Sequence, residues 1–150
     1  MSVTVLTFVA LSLVSVSILI HALGSTAWVA LLLRRYTNHE GYWKSRDLLM
    51  IWVMSALVLL LLHFVEIVIW AVAYLLLPGV TELVSFEQAL YFSLVTFTTL
   101  GYGDITLGHA WRVLSGVEAM TGILLFGWST AMLFLVVQKS WSTTQVTQTQ

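Results

Sequence analysis

The chain has no cysteine, so it can build neither a disulfide framework nor a thiolate metal site. Charge is nearly as scarce. Only 9% of residues are Asp, Glu, Lys or Arg, where soluble domains run near a quarter. With 59% of residues hydrophobic, that scarcity excludes an ordinary soluble domain and marks a membrane protein. Basic excess is missing too: the net charge is -1, which argues against a nucleic-acid partner. The four histidines, at 21, 39, 63 and 109, include no zinc-like pair at helical spacing, so a metal enzyme is not expected. No nucleophile, base and orienting group gather on an aqueous face, so no catalytic residue is assigned and no cofactor is expected. A voltage sensor needs arginines repeated at every third position of a span. Arg34 and Arg35 have no such repeat behind them.

What the chain does have is long apolar runs. Residues 3–33 carry no charge, and a span needs about 20 such residues. Residues 1–33 therefore predict an N-terminal transmembrane helix, tilted or overhanging the bilayer. A signal peptide fits less well, because the positive n-region is missing and the apolar run is too long. His21 falls among Ser17, Gly24 and Ser25, a small-residue face suited to helix packing. Residues 34–47 form the most polar connector and hold Arg34, Arg35, Lys44 and Arg46, four of the six basic residues. The positive-inside rule places them in the cytoplasm. Residues 48–77 predict the second span. There His63, Glu66 and Trp70 share one helical face. A histidine and a carboxylate inside a span must be buried in protein and paired. They read either as structural glue or as a proton sensor in which His63 or Glu66 titrates.

Pro78-Gly79 ends that helix, and residues 78–85 form an exterior turret. Residues 86–97 predict a helix about 18 Å long, too short to cross, with Ser85 as its N-cap. Its negative dipole end points into the membrane, where it favours cations. Then comes Thr98-Thr99-Leu100-Gly101-Tyr102-Gly103-Asp104. Gly101 and Gly103 weaken a helix, and the threonines compete for backbone partners. A lipid-exposed loop would leave unpaired backbone groups at several kcal/mol each. Within a membrane this backbone must face a polar cavity. Carbonyls suit hard cations there, and glycine lets several chains converge. Residues 99–103, extended, cover about 16 Å.

This stretch resembles the selectivity-filter signature of the potassium channel superfamily, in particular its small bacterial pore-loop channels, with Leu100 where valine is most common. The resemblance covers residues 48–139 and implies an all-α membrane protein. Its parts are an outer helix 48–77, turret 78–85, pore helix 86–97, filter 98–104 and inner helix 112–138. With the N-terminal helix, that makes three transmembrane helices plus a re-entrant pore helix, and the pore is tetrameric. It implies that potassium ions bind the carbonyls of Thr99, Leu100, Gly101, Tyr102 and Gly103 and the Thr99 hydroxyl. Asp104 then stands at the outer mouth, and Thr98 supports the filter. Many relatives carry a carboxylate in the pore helix where this chain reads Ser93-Leu94-Val95. Glu118, or Glu66, is expected to occupy that buried niche instead; the alternative is that Glu118 pairs with His63 or Arg112 for packing only. Gly122 falls at the inner-helix hinge, or else serves close packing. Ile123, Phe126, Thr130 and Phe134 would line the cavity, and Phe134 with Val137 would form a hydrophobic constriction.

Lys139 closes the third span, with Trp141 as an interface anchor. Residues 140–150 show no helical period and predict a disordered cytoplasmic tail. It holds no ligand-binding domain, so gating by calcium or nucleotide through an attached domain is not expected. These pieces place the N-terminus outside and the C-terminus in the cytoplasm of a bacterial inner membrane. The implied function is passive potassium conduction by a homotetramer that contacts the lipid bilayer and monovalent cations. A weakly selective cation channel and a non-conducting modulatory subunit are the alternatives.

Overall fold

The computed structural model describes residues 2–37, 43 and 47–148, with side chains through Trp141. Four helices follow in order: α1 (Val3–Tyr36), α2 (Leu48–Leu76), α3 (Phe86–Phe97) and α4 (Arg112–Gln148). Three of them, α1, α2 and α4 up to Trp141, are long and apolar enough to cross a bilayer. The protein is an all-α integral membrane protein. Lys44 and Arg46 of the expected basic connector lie outside the described residues.

α1 has 34 residues and so runs about 51 Å, well beyond a hydrocarbon core of about 30 Å. Its buried positions are Ala10, Ser17, His21, Ser25 and Leu32. Steps of seven and four make one narrow seam, and small residues on that seam let the helix approach α2 and α4. Trp70 Nε1 donates to Ser17 Oγ at 3.1 Å, and Trp28 Nε1 to Ser55 Oγ at 2.9 Å. These bonds stitch α1 to α2 along its length. Arg34 and Arg35 occupy its last turn, where cations complement the helix dipole.

α2 is the hub. Its buried face runs Ile51, Ser55, Leu59, His63, Glu66, Ile67, Trp70, Ala71 and Tyr74, in helical steps of three and four. α3 starts where Ser85 accepts from the Gln88 N–H, as its N-cap position predicts. It ends at Phe97, wedged between α2 and α4. Trp70, Tyr74, Phe92, Phe97, Trp111, Leu114 and Leu125 form the core there. Trp111 is buried, and its Nε1 donates to the Pro78 carbonyl at 3.0 Å. Glu82, between α2 and α3, accepts from the Gly108 N–H at 3.0 Å, so the segments before α3 and before α4 are tied together.

α4 continues to Gln148, where the sequence predicts an irregular tail after residue 139. Residues 139–148 contain neither glycine nor proline, and extending an existing helix costs far less than nucleating one. Polar composition alone does not stop it. Thr149 and Gln150 lie outside the described residues.

Candidate functional site

The chain leaves α3 through a tight reversal. Thr98 N–H bonds Leu94 O at 3.1 Å and Thr99 N–H bonds Thr96 O at 2.9 Å. The N–H groups of Leu100 and Gly101 both return to Val95 O, at 3.0 and 3.2 Å. Four successive donors are thus consumed by the end of α3. Among the described residues, no donor reaches the carbonyls of Thr99, Leu100, Gly101, Tyr102 or Gly103. The backbone also alternates. φ is 61° at Thr99, 56° at Gly101 and 77° at Gly103, while Leu100 and Tyr102 keep ordinary signs. Such alternation gathers N–H groups on one side and leaves the carbonyls on the other. Glycine accepts this geometry freely. Threonine does not: a β-branched residue at positive φ is an outlier, at a cost of about 1–3 kcal/mol.

Behind this stretch sits Glu118, fully buried on α4. Ser93 Oγ of α3 donates to its Oε1, and Tyr74 of α2 donates to its Oε2 at 2.7 Å. One carboxylate therefore joins three helices. Ser93 lies two residues before Val95, whose carbonyl holds the reversal. Glu118 therefore lies against α3, while Glu66 lies elsewhere. The partners of Glu118 are neither His63 nor Arg112. Tyr74 escapes a reading limited to His63, Glu66 and Trp70, yet it continues their face by one further step of four. At the outer end, the Tyr91 hydroxyl donates to Asp104 at 2.8 Å. That bond raises the Tyr91 pKa above its usual 10.0, so the phenol stays a donor at neutral pH. Tyr91, Val95, Thr99, Asp104, Arg112 and Gly116 help line a cavity of about 470 Å³ beside the stretch.

Gly122 lies at a close approach. A Cβ built there would stand 2.0 Å from Phe97 O, so α4 packs directly on the end of α3. Ile123, Thr130 and Phe134 share an exposed face of α4, and Val137 at its edge is half-buried. Phe126 departs from the cavity-lining expectation. At 100° per residue it turns about 60° off that face. Its ring lies 4.5 Å from His63 and 5.7 Å from Phe97, centroid to centroid.

A second cluster lies below, among α1, α2 and α4. Glu66 Oε1 is 3.0 Å from His21 Nδ1, and its Oε2 is 3.1 Å from His63 Nδ1. The opposite nitrogens, Nε2 of each ring, lie 3.2 and 2.9 Å from Ser129 Oγ. All four residues are buried, and the two rings stack at 5.1 Å and 26°. Helical spacing within one segment does not reveal this histidine pair, because its members come from different helices. His21 does more than pack, and Ser129 carries no sequence signal at all.

The sequence model of the family described as Ion channel matches residues 60–139. The chain belongs to the ion channel family. The match takes in α2 from Leu60 onward, α3, the 98–104 stretch and α4 through Lys139, and it leaves α1 and the first part of α2 outside. No curated protein and no solved structure matches the chain.

Proposed function

We propose that the chain is one subunit of a homotetrameric channel that conducts potassium ions selectively. The observation that carries this is the 99–103 backbone, with the N–H groups of Thr99, Leu100 and Gly101 turned back onto α3 and, among the described residues, five successive carbonyls left without protein partners. Carbonyl rings replace the hydration shell of a monovalent cation when several chains present them together. One chain offers one strand, and cyclic symmetry closes the ring. The Thr99 hydroxyl and the carbonyls of Thr99, Leu100, Gly101, Tyr102 and Gly103 are the ion ligands. Tyr102 is 67% exposed and Leu100 54% exposed in the single chain, which supports neighbouring subunits covering them. The exposed face of Ile123, Thr130 and Phe134 then lines the inner cavity, and Phe134 with Val137 narrows it. Asp104 faces the outer solution, the termini lie outside (N) and in the cytoplasm (C), and the membrane is a bacterial inner membrane.

The test is ion flux into liposomes holding the purified full-length protein, under potassium and under sodium gradients. Potassium flux well above sodium flux is expected. Equal fluxes would favour a weakly selective cation channel. No flux in either would favour a modulatory subunit that needs another pore-forming chain.

A further inference from the structure

His21, His63 and Glu66 bring ligand-type atoms within 4.8 Å of one another, and none of them belongs to the 98–104 stretch or its Glu118 brace. We propose that this cluster binds one zinc(II) ion inside the membrane, held by Nδ1 of His21, Nδ1 of His63 and the carboxylate of Glu66. The spacing suits it. Tetrahedral zinc with bonds of roughly 2.0–2.1 Å sets its ligand atoms about 3.3 Å apart; the two nitrogen-to-oxygen separations are 3.0 and 3.1 Å. Each carboxylate oxygen faces a different imidazole, so Glu66 can bind through either one, giving three protein ligands and a fourth position for water.

The tautomers agree. Ligation through Nδ1 places a proton on each Nε2, and both Nε2 atoms converge on Ser129 Oγ. Metal-bound histidines characteristically donate their other N–H in this way. With both rings neutral and no metal the count is one proton short, which a metal ion at the two Nδ1 atoms or one added proton resolves. Two neutral imidazoles that give both Nδ1–H groups to Glu66 leave two bare Nε2 acceptors and one hydroxyl proton between them. The ion also offsets a carboxylate that is costly to bury alone. Bound there, zinc fastens α1 to α2 and, through Ser129, to α4.

Full-length protein carrying a histidine-free tag is incubated with zinc in detergent, passed through gel filtration and assayed for metal by mass spectrometry. One zinc per chain is expected. His21→Gln, His63→Gln and Glu66→Gln should each lose it, His109→Gln should keep it, and Ser129→Ala should bind about 10- to 100-fold more weakly. Should the ligand variants fail to fold, zinc-edge X-ray absorption of the wild type reads the donors directly, with two imidazoles and carboxylate oxygen expected. A wild type that retains no zinc, or zinc whose shell lacks imidazole, overturns the proposal and leaves a ring closed by one shared proton.

Discussion

Glu118 ties three helices together through one side chain. It accepts from Ser93 and Tyr74, and a buried hydroxyl left without its partner costs about 1–3 kcal/mol. Glu118→Gln keeps the shape. Ser93 can then accept from the amide and donate instead to the Ile67 carbonyl, 3.0 Å away. The expected cost is therefore modest, about 1–2 kcal/mol, read as a lower melting temperature in detergent. Glu118→Ala strands both hydroxyls in a dry site and should cost about 3 kcal/mol or more. If Glu118→Gln also leaves ion selectivity and inactivation unchanged, the carboxylate does not support the conducting stretch. At this scale the sequence is partly legible. A carboxylate in a span demands partners, so Glu118 and Glu66 announce themselves. Which partners they find depends on three helices meeting, and Ser93 and Ser129 look like any other membrane serine.

Elements are easier to read than their meetings. The 12-residue length of α3 and the position of its cap follow from Ser85, from Pro78 ending the previous helix and from Gly101 and Gly103, which weaken a helix. The far end of α4 is not legible in the same way, because a polar run without a helix breaker can still extend a helix that packing has already nucleated. Gly122 separates the two scales. Sequence position alone permits a hinge or a packing contact, and the clash that a Cβ at Gly122 would make with Phe97 O shows a packing contact within the chain. Gly122→Ala must push α4 off the end of α3, at about 1–3 kcal/mol for an overpacked site, and should lower the melting temperature. Gly127→Ala has no atom within 4 Å of the new methyl in the chain. It should be neutral or stabilising by up to about 1 kcal/mol. Equal melting temperatures for the two variants would contradict the packing role. A smaller effect belongs to the α3 cap: Ser85→Ala should cost about 0.5–2 kcal/mol in the same assay.

For the whole molecule, three helices packed around α2 leave the 98–104 stretch and one face of α4 uncovered. That is the surface expected of a subunit and not of a finished pore. A tetramer of 16.8 kDa chains should appear by light scattering after correction for detergent, and a monodisperse monomer would contradict closure of a carbonyl ring. The most direct measurement is the flux of potassium and sodium into liposomes containing the purified protein alone. Potassium entry that greatly exceeds sodium entry, and that disappears in Gly103→Ala, where φ of 77° disfavours any side chain, is the predicted result. Sodium entry equal to potassium entry would contradict it.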